Sequence, residues 1–197
     1  MKNESTLLRK ICDIRTGYQG ARDPGETYQL INLTNLDVSG SIDFNNIKTF
    51  STIQMDEKYL LKKGEILFKK SQSSQSSQCA AGFFNGGPDN LVPSAHFFIL
   101  SINENSKDIV IPEYVAWYLG EDVVRKYFQS VAAGMVTATI KKSDLEILEL
   151  VIPPINVQRK LIEIQRLALE ERKMMEEFIF LRDKQVKNAL TNLVWQE

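Results

Sequence analysis

The residues with the most chemical potential form one cluster. Lys62, Lys63, Lys69 and Lys70 precede the tract 71–78, SQSSQSSQ. Lysine ammonium groups contact phosphates as point charges. Glutamine can bond adenine N6 and N7 together, and serine can bond several base edges. A loop holding Ser71, Gln72, Ser73, Ser74 and Gln75 beside Lys69 and Lys70 is therefore chemically suited to a nucleic-acid duplex. The same composition suits a disordered polar loop equally well. Arg22, in the Gly/Pro-rich stretch 16–25, is a second candidate for such a face, with unassigned surface charge as its even alternative. Lys141 and Lys142 are better read as solvated charge.

Catalytic motifs are missing. The chain has no G-x-S-x-G, H-E-x-x-H, G-x-G-x-x-G, Walker loop or Cys-x-x-Cys. Its one histidine, His96, is followed by Phe97, Phe98 and Ile99. A triad would need a nucleophile and a carboxylate that the sequence does not place, so a packed or hydrogen-bonded histidine at a strand end is the better reading. Asp56-Glu57-Lys58 contains the D-x-K of many nucleases, with Asp43 upstream as a second possible metal ligand. With 25% charged residues such triplets arise by chance, and a solvated loop is favoured. Cys12 and Cys79 lack a metal-ligand spacing and are expected as reduced thiols. No metal and no cofactor is expected.

Composition sets the outer bounds. The 197 residues suffice for one packed domain plus an appendage. No apolar run approaches the roughly 20 residues of a membrane span. The start, MKNESTLLRK, lacks the apolar core of a signal peptide, so the cytoplasm is the expected compartment. The net charge of −1 does not announce a nucleic-acid binder. Of 24 basic and 25 acidic residues, 8 and 7 lie in 151–197, leaving 16 and 18 before them. Duplex binding would need a local patch, or a basic partner supplying phosphate contacts.

The pattern along the chain is mixed. Segment 7–14 is too short to separate helix from strand. Strands are expected at 28–33, more weakly at 44–53, from 66, at 80–84 and at 95–102, with a strong turn at Asn85-Gly86-Gly87-Pro88. A helix is expected over 112–131, with Tyr114, Trp117, Tyr118, Val124, Tyr127, Phe128 and Val131 on one face. The stretch 139–160, TIKKSDLEILELVIPPINVQRK, organises the rest. Ser143 and Glu146 have capping-box spacing. Ile147 to Ile152 is strand-like, Pro153-Pro154 ends it, and Asn156 can cap a helix beginning there. A helical pattern then runs to about Leu193, on the order of 55 Å. Ile164, Leu167, Ala168, Met174, Met175, Phe178, Leu181, Val186, Ala189, Leu190 and Leu193 form its apolar stripe. Burying such a stripe normally takes another helix, and this chain offers none of matching length. A partner helix is expected.

Four phrases, in order, resemble the specificity subunits of type I restriction-modification systems. They are L-x-x-G-E-I-L-F (61–68), S-x-H-F-x-x-L (94–100), I-P-E-Y-x-x-W-Y-L (111–119) and V-I-P-P-I-x-x-Q-R-K (151–160). At 71–80 the chain departs from that pattern: the family's S-[KR]-S-G-x-x-G-K has lost its glycines and last basic residue here. The resemblance implies an α/β (mixed α+β) fold: a target recognition domain (1–153) with a mixed, partly barrel-like sheet and flanking helices, then a long coiled-coil helix (154–197) for spacing and dimerisation. It implies a non-catalytic reader of double-stranded DNA that docks a methyltransferase subunit and a restriction subunit. Such subunits usually carry two recognition domains and two spacer helices, so one of each resembles a half-subunit or a fragment. A homodimer through the terminal helix is expected. The alternative is a helical scaffold, a remnant half-subunit that no longer reads DNA.

Overall fold

Ile66-Leu67-Phe68 and Phe97-Phe98-Ile99-Leu100 carry no polar position, as strands covered on both faces require. They form the centre of the fold. The computed structural model describes residues 4–20, 23–37, 39–73, 81–131 and 137–195. In chain order the elements are β1 (Glu4–Leu7), α1 (Leu8–Ile11), β2 (Cys12–Thr16), β3 (Glu26–Ile31), β4 (Lys48–Thr52), β5 (Ile66–Lys69), β6 (Ser71–Ser73), β7 (Ala81–Phe83), β8 (Leu91–Pro93), β9 (Phe97–Ile102), α2 (Pro112–Gly120), α3 (Asp122–Val131), β10 (Thr137–Thr139), α4 (Lys142–Glu146), β11 (Glu149–Ile152) and α5 (Ile155–Val194). The undecided stretch 7–14 thus holds strand, one helical turn and strand in succession.

Among the described residues, β2-β9-β5-β7 form an antiparallel sheet, and β4-β3-β8 form a second in which β3 and β8 run parallel. Two strand pairs, β1-β11 and β6-β10, stand apart, and none of these sheets closes into a barrel. Register explains the layering. Leu67 pairs with Ile99, and both join Ile31, Leu36, Leu91 and Phe97 in one core cluster between the two larger sheets. Phe68 pairs with Phe98 and points the other way, against Phe128 of α3 at 5.7 Å between ring centroids. Successive strand residues face opposite sides, so one run fills two interfaces. The architecture is mixed α and β with a long final helix, as expected.

Three local expectations are corrected. The helix expected over 112–131 is two helices, broken at Glu121, which is extended (φ −76, ψ 154). Gly120 weakens the helix there, and Asp122 suits a new N-terminus. The break lets α2 bury Tyr114, Val115 and Leu119 while α3 buries Val124 and Phe128; Val131 is exposed. Ser143 and Glu146 do not form a capping box: α4 starts at Lys142, Ser143 donates to Asp144, and Glu146 pairs with Lys142. Asn156 is not the cap of α5, because the helix starts at Ile155 and the Pro154 carbonyl takes the first turn's N–H groups.

Two units emerge, 1–159 and 160–197. In the first, Gln158 on the opening turn of α5 is fully buried. Its Oε1 accepts from the Ile111 N–H at 3.0 Å, and its Nε2 donates to the carbonyls of Ile109 and Pro153, each at 2.8 Å. One carboxamide satisfies three backbone groups at this joint. In the second unit α5 is partly buried at Leu161, Ile162, Gln165 and Leu169 and exposed from residue 170 onward. Ile164 (67%), Met174 (63%), Phe178 (69%), Leu181 (55%) and Leu190 (59%) show how bare the stripe is, and Leu167 and Met175 are exposed with them. Among the described residues no helix is long and apolar enough to cross a membrane.

Gln158→Leu keeps the volume but orphans those backbone groups, each costing about 1–3 kcal/mol when unpaired. It should lower stability by roughly 3 kcal/mol, read as a fall in urea midpoint at constant m-value. An unchanged midpoint would show that the three bonds add nothing. Burial, with the neighbouring Asp13 charge, pushes the Cys12 thiol up to about 12 from its ordinary 9.0. The folded state therefore favours the protonated thiol. That contribution is fully present below pH 9 and is lost as pH rises from 9 towards 12. Native protein at pH 8 should leave Cys12 unreacted with a thiol reagent, and Cys12→Ala should flatten the alkaline fall in stability. Prompt labelling of Cys12 in the folded state would contradict its burial.

Candidate nucleic-acid interface

The cluster at 69–73 is held by both neighbouring layers. Lys69 ends β5 and Lys70 links it to β6; the Lys70 N–H donates to the His96 carbonyl, and its own carbonyl accepts from Ile140. β6 pairs antiparallel with β10, so Ser71 faces Thr139, Gln72 faces Ala138 and Ser73 faces Thr137. The Ser/Gln tract and the Thr-containing segment after α3 therefore meet edge to edge. Nothing local in the sequence relates these two segments, and the alternation of the short T-A-T run was the one available signal. Ser74, Gln75 and Arg22 lie outside the described residues.

The two lysines are less free than their sequence suggests. Lys69 Nζ donates to the Leu36 carbonyl at 2.6 Å, and burial lowers its pKa from the ordinary lysine value, opposed by nearby Asp37. Lys70 Nζ lies 4.6 Å from the centre of the Phe98 ring, within cation–π range, and burial lowers its pKa too. Lys62 and Lys63 are exposed on the turn before β5, with Gly64 at φ +92. His96 is exposed in the β8–β9 turn rather than packed.

The nuclease reading finds no geometry. Asp56 Oδ1 accepts from the Lys58 N–H at 3.0 Å and its other oxygen pairs with the Lys58 ammonium, which holds the carboxyl below the usual range. Asp43 accepts from the Asn45 N–H at 2.9 Å. Both carboxylates serve local turns, and among the described residues no three His, Cys, Asp or Glu side chains are grouped to hold a metal ion.

Two features escaped sequence reading. The first is an ion pair between Arg15 of β2 and Glu65, just before β5. Arg15 Nη1 and Nη2 reach the two carboxylate oxygens at 2.5 and 2.6 Å, while Nε donates to the Lys58 carbonyl and Nη2 also to that of Leu60. Glu65 accepts in addition from the Lys62 N–H at 2.8 Å, and its side chain is only 8% exposed. The second is a group of rings. Tyr18 stacks on Phe50 at 5.3 Å and meets Tyr59 edge-on at the same distance, and Phe50 also touches Tyr28. Gly17 is needed here, since a Cβ on it would lie 2.2 Å from the Ser94 carbonyl oxygen. Hollows flank Tyr18. One of about 360 Å³ is lined by Arg15, Thr16, Gly17, Gln19, Lys58 and Tyr59 with it; the other, of about 250 Å³, lies towards Leu30, Asn32, Phe50, Ser94 and His96.

No protein-family model matches the sequence, and no curated protein does. Solved structures match along nearly the whole chain. The HsdS subunit from Thermoanaerobacter tengcongensis superposes with a TM-score of 0.65 at 15% identity, over 96% of this chain and 47% of that one. The type I restriction-modification system S subunit from M. genitalium gives 0.59 at 14%, over 98% and 46%. A structure concerned with complex assembly and conformational transition of the type I R-M system gives 0.64 at 12%, over 94% and 43%. The fold is that of a type I specificity subunit. The chain spans less than half the length of each of these three. Within this fold, the phrases at 61–68, 111–119 and 151–160 are scaffold. Gly64 makes the turn, Glu65 holds Arg15, and 66–68 fill the core. Tyr114 and Tyr118 donate to carbonyls of β11, and Gln158 closes the joint at the start of α5.

Glu65→Gln leaves the Arg15 guanidinium half-buried without its counter-charge and should cost about 3 kcal/mol in chemical denaturation. Arg15→Met with Glu65→Met should recover part of that loss, since neither charge is then orphaned. A double variant worse than the single would show that the pair does more than neutralise itself.

Proposed function

We propose that this chain is a DNA-reading half of a type I specificity subunit: a recognition domain at 1–153 and a spacer helix at 154–197. The observation that carries the reading is a single fold match running through both parts, 94–98% of the chain, to half-length portions of type I subunits. On this reading the protein performs no chemistry. It selects double-stranded DNA, and a methyltransferase subunit and a restriction subunit dock on it to modify or cleave. The patch around Lys70 and β6, with Arg22, contributes phosphate contacts, and Gln72 and Gln75 contribute base contacts.

The bare stripe of α5, from Ile164 through Met174 and Phe178 to Leu190, is the proposed dimer seam. Two copies related by a two-fold axis would present two identical readers to an interrupted palindrome. The scaffold alternative draws on one observation: Lys69 is engaged by the Leu36 carbonyl, in a tract already short of basic residues.

The test is sedimentation together with duplex binding. A dimer at micromolar concentration, and duplex affinity falling steeply with salt, are expected. Lys69→Ala with Lys70→Ala should weaken binding to all sequences, with folding checked by thermal melt, whereas changes at Gln72 or Gln75 should shift the preferred sequence. A monomer would remove the seam. A dimer that binds no duplex at any salt would leave the scaffold reading.

A further inference from the structure

The smaller hollow beside Tyr18 has chemistry that duplex reading does not use. Its floor and walls are apolar: Phe50 is buried beneath, with Leu30 and the Tyr18 ring at the sides. Its polar groups converge from three segments, namely Gln19 after β2, Asn32 after β3, and Ser94 and His96 between β8 and β9. Ser94 is 6% exposed, and among the described residues its hydroxyl has no hydrogen-bond partner. The Ser94 backbone is fixed on both sides, its N–H donating to the Ile31 carbonyl and its carbonyl accepting from Phe97. With the backbone held, rotation about χ1 is the movement left to bring the hydroxyl to a partner in the hollow. Among the described residues Asn32 Nδ2 makes a long bond, 3.4 Å to the Leu30 carbonyl, while the same carboxamide accepts from the Asn35 N–H.

We propose that this hollow receives a single unstacked nucleobase. A flat ring suits walls made of Tyr18, Phe50 and Leu30, because base–aromatic contact does not depend on which base is present. A base edge carries donors and acceptors around its rim, and these match a carboxamide, an imidazole and a hydroxyl. An apolar peptide side chain would fill the same space but leave the Ser94 hydroxyl orphaned. At about 250 Å³ the hollow lies below the roughly 300–1,000 Å³ of drug-sized sites, as a one- or two-ring fragment requires. A base stacked in a duplex cannot enter, so the ligand is an extrahelical or single-stranded base. Chemistry on a duplex base needs such extrusion. The hollow adjoins the proposed reading patch, since His96 lines it and bonds through its carbonyl to Lys70. The inference rests on the proposed DNA reading for how the base is delivered, not for the chemistry of the hollow.

The experiment compares three probes: a fully paired duplex, the same duplex with one bulged thymine, and short oligothymidylate. Wild-type protein should bind the bulged duplex about tenfold tighter than the paired one. Ala95→Phe fills the hollow from the turn that carries His96, and Ser94→Val removes the hydroxyl. Both should abolish the preference while leaving affinity for the paired duplex unchanged, and a preference surviving Ala95→Phe would overturn the inference. Equal binding of the two duplexes by wild type would also overturn it. Should neither duplex bind, duplex reading fails on its own account. Saturation transfer to oligothymidylate then decides the hollow: transfer in wild type that Ala95→Phe removes supports it, and no transfer in wild type ends it.

Discussion

A carboxylate almost closed off from water ties together three separate segments of residues 1–159. Glu65 is tolerable there only because two guanidinium contacts and the Lys62 N–H meet its oxygens. Arg15 brings further bonds, to the carbonyls of Lys58 and Leu60. The pair therefore fastens β2, the turn at 57–60 and the turn before β5 into one assembly. The segment between β4 and β5 has one short helix, at Glu57–Tyr59, and is anchored at Leu61, which is buried and donates its N–H to the Leu91 carbonyl. The charge node adds side-chain bonds to its carbonyls at Lys58 and Leu60. Tyr59 rides on that segment and meets Tyr18, so one ring beside the larger hollow takes part of its position from the ion pair.

The apolar layers supply stability, and the polar joints decide where segments sit. β5 and β9 are covered on both faces, which removes large side chains from water without any specific partner. Gln158 works differently. It adds little apolar burial but fixes three backbone groups, so the opening turn of α5 can take only one position against 109–111 and Pro153. Beyond residue 160 the balance reverses. Rings and branched chains such as Phe178, Ile179 and Leu181 stand in water, and the pairs from Arg166 to Glu163 and Glu170 are exposed and individually weak. A helix with such a stripe gains more from covering it than from its own surface charges.

Legibility in the sequence tracks the range of each interaction. Doubly buried strands and the final helix are written in local periodicity, and they were legible. The break at Glu121 was not, because the apolar face continues across it. The capping expectations at Ser143 and Asn156 failed because each helix starts earlier than its best capping residue, with backbone carbonyls of Lys141 and Pro154 taking the N–H groups instead. Arg15 and Glu65 are 50 positions apart, and β6 and β10 lie on either side of both central helices. No window over the chain joins them. The ring group and its hollow draw on several separate segments and were invisible for the same reason.

The matched phrases explain how the fold could be recognised while the target could not. Leu61, Gly64, Glu65, Tyr114 and Gln158 each answer a demand of the scaffold: core volume, a positive φ, a buried charge or an unpaired carbonyl. Those demands come from the backbone and the core alone. Exposed Ser71 and Gln19 stand where the scaffold asks for nothing, so the fold does not dictate their type. A fold retained at 12–15% identity is the expected result of that division. Most positions need only a polar or apolar class, and a few joints such as Gln158 need one residue type.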